Sequence, residues 1–294
     1  MNKKILNYII NDVVKNRIYK FLSNRQQIII DYFIATKKLL KLSDPKTFSE
    51  KIQWIKVYGR LERYTKYVDK YEVRDFITKT LGKEYLIPLL GVWNSFEEID
   101  FDRLPNQFVL KATHGCAYVY ICRNKETLDI HSLRNTVKKW LHENFYNKTR
   151  ELQYRDCKPR IICEQYMEDE SGELIDYKIL CFNGLPQFIE VHTGRLLTHN
   201  ADYKDLNWRK LPMSCVLGPN SNKELRKPKH LKTMINIARI LSKPFPFVRV
   251  DLYYVKEKIY FGELTFTPAN GLGRFEPPEV ESKLGELFDL SKYV

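Results

Sequence analysis

The spacing of hydrophobic positions changes partway along this chain. In the first hundred residues it is mostly helical. "LSDPKTFSEKIQWIKVYGR", residues 42–60, places Phe48, Ile52 and Ile55 on one face behind a candidate cap at Thr47 or Ser49. "YTKYVDKYEVRDFITKTLG", residues 64–82, predicts a second helix closed by Gly82. In "YLIPLLGVWNSFEEID" a short apolar run is broken by Pro88, and Ser95 reads as a helix cap with Glu97 and Glu98 in the first turn. Beyond Pro105 the texture becomes strand-like. "QFVLKATHGCAYVYICRN" reads as a hairpin around a loop of small residues, and "SLRNTVKKWLHENFY" as a helix. "PRIICEQYM" reads as a buried strand running into a polar link. "LIDYKILCFNGLPQFIEVHTGR" reads as a hairpin turning at Asn183-Gly184. A helix in "ELRKPKHLKTMINIARILSK", a second hairpin in "FVRVDLYYVKEKIYFGELTF" and a helix in "EVESKLGELFDLS" complete the pattern.

Helices first, then strands mixed with helices and hairpins, define an α+β chain with antiparallel sheets. At 294 residues it can bury a sizeable core in more than one lobe, and 44% hydrophobic and 13% aromatic residues are globular values. The formal charge of +13 points to an anionic partner without choosing among nucleotide, nucleic acid, acidic polysaccharide and membrane surface. Residues 1–41 concentrate that charge, with nine Lys and Arg against two Asp. There Ile5, Ile9, Val13 and Leu6, Ile10, Val14 recur at helical spacing. Such a segment either packs on the body as an ordinary helix or rests on an anionic membrane surface. No run approaches the roughly 18 apolar residues of a membrane span. The six cysteines form no CxxC pair and read as reduced, buried thiols in the cytoplasm; His114-Gly115-Cys116 lacks the second pair that a zinc site needs.

The chemistry concentrates in the last hairpin. Asp251 and Glu263 fall on adjacent strands and can face each other across them. Two such carboxylates repel unless a cation lies between, and Mg²⁺ is a natural occupant because it bridges carboxylates to phosphates. Thr265 shares the face of Glu263, and Arg249 that of Asp251. The competing reading is a surface Arg–Glu pair worth little. Lys111 ends a strand before a small-residue loop, a pattern that suits phosphate. Asp176 and Lys178 share one strand face, and the link after "ICEQ" exposes backbone to a purine edge.

Together these residues resemble the ATP-grasp superfamily, in its branch related to the teichuronopeptide-synthesis protein TupA, over about residues 43–290. The resemblance implies an ATP-grasp fold: two α/β lobes with antiparallel sheets gripping ATP, behind a helical N-terminal segment. The implied division is 1–66 for that segment, 67–160 for the lobe with the lysine and phosphate-loop hairpin, and 161–294 for the lobe with the metal site. It implies Lys70 and Lys111 as nucleotide lysines and His114, Gly115 and Cys116 as the phosphate loop. "EQYM", Glu164, Gln165, Tyr166 and Met167, becomes the adenine hinge. Asp176 meets the ribose and Lys178 the phosphates. Asp251, Glu263 and Thr265 hold Mg²⁺. Asn270, Gly271 and Arg274 meet the substrate carboxylate, with Lys178, Arg249 and Arg274 in catalytic roles. Thr265 stands where such enzymes usually carry Asn, the loop has a single Gly, and no full Rossmann-like domain precedes the grasp fold.

The implied activity is an ADP-forming carboxylate–amine ligase working through an acylphosphate, using ATP and Mg²⁺, in cell-surface polysaccharide synthesis. Its acid would be a uronic acid or acidic amino acid. It would act in the cytoplasm, with peripheral contact to the inner face of the membrane through residues 1–41. A sugar kinase on the same fold and a glycosyltransferase are the alternatives. The acidic run Glu168-Asp169-Glu170 reads as an exposed turn rather than a metal–diphosphate motif, and no RNP, KH or finger motif supports nucleic-acid binding.

Overall fold

The structure is a computed structural model that describes residues 19–293 apart from 170, 171, 173, 195–198, 216, 217, 222 and 223. The amphipathic pattern at Ile5–Val14 lies outside the described residues.

Two capped helices open the described chain. In α1 (Asn24–Thr36) Ser23 and Gln26 form a reciprocal capping box; in α2 (Phe48–Tyr58) Thr47 and Glu50 do the same. Ser49, the other candidate cap, instead donates its N–H and hydroxyl to Glu281, at 2.9 and 2.8 Å. The helix expected over 64–82 is broken into one turn, Thr65–Val68, and α3 (Val73–Thr80). Asp69 causes the break: its Oδ1 accepts the N–H groups of Tyr71 and Glu72, at 2.8 and 3.0 Å, and so takes over the backbone donors. Gly82 follows α3 in the left-handed region, with φ 113°.

Three sheets follow. β1 (Leu89–Trp93), β2 (Phe108–Ala112), β3 (Val119–Cys122) and β4 (Ile161–Gln165) form an antiparallel sheet in the order β1-β4-β2-β3. β4 pairs inside this first sheet, so the chain leaves it after Gln165 rather than at residue 160. β5 (Asp176–Phe182), β6 (Leu185–Thr193), β7 (Asn200–Lys204), β9 (Phe247–Val255) and β10 (Lys258–Thr265) form the second, in the order β10-β9-β5-β6-β7. β8 (Ser214–Cys215) and β11 (Phe275–Glu276) make a short third pair. The two predicted hairpins of the second sheet turn through two residues with positive φ, Asn183-Gly184 and Lys256-Glu257. That geometry matches the twist of the flanking strands.

One helix covers a face of each of the two larger sheets. Phe108, Leu110 and Ala112 of β2 point at α4 (Ile130–His142), which buries Leu133, Val137 and Trp140 against them. The second sheet buries Ile179 and Cys181 against α5 (Leu231–Ser242), through Met234, Ile237, Ala238 and Leu241. The N-terminal helices are part of this core. Phe48 of α2 packs against Phe182 and Phe247, with ring centroids 5.9 and 5.2 Å apart. Lys51 donates to the carbonyls of Gly285 and Phe288 at the end of α6 (Pro278–Leu287), at 2.7 and 2.8 Å. A parallel bridge between Leu86 and Phe261 ties the first lobe to the edge of the second sheet.

Candidate active site

The face of the second sheet away from α5 carries buried charge in register. Glu263, Asp251, Lys178 and Glu190 are direct partners on successive strands and form one row across β10, β9, β5 and β6. On one side of this row, Asp176 stands between Tyr253 and His192; on the other, Thr265 stands opposite Arg249. The expected Asp251–Glu263 juxtaposition is therefore present, and the cation spanning it is Arg249. Its Nε and Nη2 take both Asp251 oxygens at 2.7 Å, and Nη2 also reaches Glu263 Oε1 and Thr265 Oγ1 at 3.1 Å. Lys178 Nζ is bonded to Asp251 Oδ2 and lies 3.7 Å from Asp176.

These contacts fix ionisation states. Burial alone would raise the Glu263 carboxyl, but Lys178, Arg249 and Lys70 outweigh it and hold the group well below the carboxylate range. Burial would lower Arg249; Asp251, Glu190 and Glu263 together keep it raised and charged. Glu190 likewise stays ionised against its burial through His192, Arg249 and Lys178. Asp176, Asp251, Glu190 and Glu263 surround Lys178 and Arg249, and burial raises the Asp251 carboxyl despite both cations. Glu263 Oε1 is occupied by Arg249 and Thr265, while a third of its side chain remains open. Among the described residues no group of three or more His, Cys, Asp and Glu side chains could hold a metal by itself.

The first sheet supplies the opposing surface. Val109, Lys111, Ile162 and Glu164 share its uncovered face with the exposed Val119 and Ile121, an apolar platform with a charged edge. Lys111 Nζ holds Glu164 Oε2 at 2.6 Å, and Arg74 holds Oε1 at 3.1 Å. The Glu164 side chain is thus engaged by two cations. Gln165 uses its N–H on Pro88 O at 3.0 Å, whereas Met167, beyond the strand end, makes no backbone hydrogen bond among the described residues. The Tyr166 hydroxyl donates to Glu168 at 2.9 Å. Lys70 is anchored where Asp69 breaks the helix, donating its N–H to Thr113 O at 3.2 Å and its ammonium to Gly115 O. Lys70 also contributes to holding the Glu263 carboxyl low.

In the loop 113–118 the side chains of His114 and Cys116 turn inward. His114 Nε2 lies 2.8 Å from Trp140 O; a carbonyl only accepts, so this nitrogen carries the proton. Burial lowers the His114 pKa and pushes the Cys116 thiol up to about 11, leaving both neutral. What this loop offers the cleft is backbone and Gly115.

After β10 the chain enters a strained loop. Ala269, Asn270 and Gly271 all have positive φ, of 52, 57 and 65°. The Asn270 N–H donates to Thr267 O at 2.9 Å. Gly271 ends the single 3-10 turn Pro268–Gly271 and is buried. Arg274 is half-buried and has no hydrogen-bond or ion-pair partner among the described residues. Four residues of this region escaped the sequence reading: Arg74, Glu190, Glu151 and Lys56. Arg74 and Lys56 stand on helices, where charge defaults to solvent. Glu190 carried a signal, since a lone acid in the apolar strand "QFIEVHT" is anomalous.

Two antiparallel sheets that close on a row of acids and lysines, with a lysine-bearing hairpin above, define an ATP-grasp fold. The sequence profile of TupA-like ATPgrasp proteins matches residues 50–289, and the chain belongs to that family. Among solved structures it is similar to a D-alanine–D-alanine ligase from Bacillus anthracis, at 17% identity and a TM-score of 0.49, covering 79% of this chain and 73% of that one. It is also similar to a D-alanine–D-alanine ligase from Helicobacter pylori, at 11% identity and TM-score 0.41, covering 82% and 69%. A third, D-cycloserine synthetase DcsG, matches at 14% identity and TM-score 0.40, covering 76% and 71%. No curated protein matches the chain.

Proposed function

We propose that this protein is an ATP-dependent carboxylate–amine ligase that forms an amide through an acylphosphate. The observation that carries the reading is the row Glu263–Asp251–Lys178–Glu190 with Arg249 across it, opposite Lys70 and Lys111. No side chain here is set up as a covalent nucleophile, which fits direct transfer between bound substrates. Lys111 and Lys70 bind phosphate oxygens, and the platform of Val109, Ile162, Val119 and Ile121 takes the adenine. The carbonyl of Gln165 and the N–H of Met167 meet its edge, and Asp176 meets the ribose. Glu263, Asp251 and Thr265 would hold Mg²⁺, whose charge lowers the cost of bringing a carboxylate to the γ-phosphorus. Lys178 and Arg249 carry the charge of the transferring phosphoryl group in a site already shielded from water. Arg274 and the Asn270-Gly271 turn orient the attacking carboxylate, and the amine then displaces phosphate from the acylphosphate.

The acid is a uronic acid or acidic amino acid, and the setting is cell-surface polysaccharide synthesis. The excess of basic residues over 1–41 and the exposed Phe21, Phe33 and Leu39 favour a peripheral position on an anionic membrane face. Among the described residues no helix is long and apolar enough to cross a membrane. Co-sedimentation with anionic but not zwitterionic vesicles, reduced by Phe21→Ser with Leu39→Ser, supports that placement; equal recovery with both vesicle types removes it.

Thermal midpoints with Mg·ATP and with Mg·UDP-sugars test the core reading, since a ligand bound only by the folded state raises the midpoint by mass action. A shift with ATP, followed by phosphate release that needs both a carboxylate and an amine, is the expected result. ADP formation without any amine requirement would make the protein a kinase, and a shift only with UDP-sugars would make it a glycosyltransferase.

A further inference from the structure

The loop that follows Glu263 does not hold its shape alone. Ala269 and Asn270 occupy the left-handed region, which is unfavourable for residues that carry a Cβ. Two side chains of α2, one turn apart, hold Asn270 there. Gln53 Nε2 donates to its carbonyl at 2.8 Å, and Lys56 Nζ donates to its Oδ1 at 2.5 Å. Gly271 lies so close to this helix that a Cβ would stand 2.5 Å from Gln53 Nε2 and from Ile52. At its start the loop is tied to the other side of the cleft: Thr267 donates to Glu151 and accepts from Gln153, the latter at 2.7 Å.

Lys56 is an unusual residue to find in this place. It is buried, with its charge facing Glu151 and Asp31, and burial lowers its pKa to about 8 despite them. An ordinary core position on an amphipathic helix would carry an apolar residue. Among the described residues the Asn270 side chain is the one hydrogen-bond partner of the Lys56 ammonium.

We propose that Lys56 is a positioning residue that, with Gln53, clamps Asn270 in the left-handed conformation that sets the path of the loop leading to Arg274, the group that meets the substrate carboxylate. This rests on the ligase reading for the identity of the substrate. The clamp itself is a property of the fold. It also gives the N-terminal helix a task in the site, so that α2 shapes the acceptor end while the two sheets hold the nucleotide.

Lys56→Met, Asn270→Gly and Asn270→Ala test the proposal with three readouts. Amide hydrogen exchange of 267–272 needs no substrate. The Mg·ATP-induced rise in melting midpoint reports the nucleotide site. Phosphate release reports the carboxylate. In Lys56→Met, exchange in the loop should speed up about tenfold and the ATP-induced rise should persist. Turnover of the carboxylate should fall on the order of 10²-fold from misplacement. Glycine adopts positive φ freely, so Asn270→Gly should keep several-fold more turnover than Asn270→Ala. Loop exchange and turnover at parent levels in Lys56→Met would overturn the clamp. Equal inactivity of the two Asn270 variants would overturn it in favour of direct substrate contact by that side chain. If the parent turns over no carboxylate–amine pair, the ligase reading fails, while the exchange measurement still decides the clamp.

Discussion

Glu263 stands directly opposite Asp251 because Gly262 is an extra residue in β10. The turn at Lys256-Glu257 pairs Lys258 with Val255 and Phe261 with Leu252, a register that continued unbroken would set Gly262 against Asp251. The shift between Phe261 and Glu263 brings the second carboxylate onto the same face as the first. A Cβ at Gly262 would meet Asp251 O at 3.0 Å and the Tyr253 ring at 3.1 Å, so a side chain here crowds the bulge. Gly262→Val should lower Mg·ATP affinity at least about tenfold by disturbing this register. Titration of the nucleotide against both proteins checks it, and parent-like affinity would detach the bulge from nucleotide binding.

Glu263→Gln keeps the shape of the side chain and removes its charge. Arg249 would still be paired with Asp251, so the fold should survive. Turnover with Mg·ATP should drop on the order of 10²- to 10³-fold, as when one preorganised group is lost from a charge-stabilising site. Full ATP turnover in this variant would remove Glu263 from the metal site.

The same carboxylate gives an acid-stability signature. Its folded pKa is depressed below an unfolded value of about 4.3. The unfolded state therefore binds the proton first as the pH falls. The stability Glu263 contributes is complete above that value and is lost progressively below it. Melting midpoints of the parent should fall more steeply below about pH 5 than those of Glu263→Gln. Parallel curves would show that its charge is not coupled to Lys178, Arg249 and Lys70.

Lys111→Ala removes a phosphate ligand yet leaves Glu164 paired with Arg74. Charge-assisted hydrogen bonds are worth about 1.5–3 kcal/mol, so ATP should bind roughly 10- to 100-fold more weakly. Binding as tight as the parent's would end the assignment of this lysine to the phosphates.

Lys56 has the opposite pH window. Its folded pKa of about 8 lies below an unfolded value of about 10.4. Between these values the unfolded state holds more protons, so this group makes stability rise with pH, by at most about 3 kcal/mol. Buried tyrosines with raised pKa values work the other way near pH 10, but they are common to parent and variant. The melting difference between the parent and Lys56→Met should therefore shift in the parent's favour from pH 8 to 10. A constant difference would mean that Lys56 is protonated throughout.

What the sequence determined was local. The alternation in "DYKILCF" and "FVRVDLYYV", the Asn183-Gly184 turn and the Phe48–Ile52–Ile55 stripe specify hairpins and a helix, because strand and helix periods depend on near neighbours. They also placed Lys178 with Asp176, and Arg249 with Asp251, on common faces. The tertiary structure decided the rest. Asp69 broke the 64–82 helix through side-chain bonds that no periodicity records, and β4 joined the first sheet through partners 49 to 75 residues away. The bulge at Gly262 set which residues oppose each other. Lys56 and Asn270, 214 positions apart, met only because α2 packs into the core of the second sheet. A buried ammonium is stable only where the fold supplies its partner, and pattern along one segment cannot show a partner contributed by another.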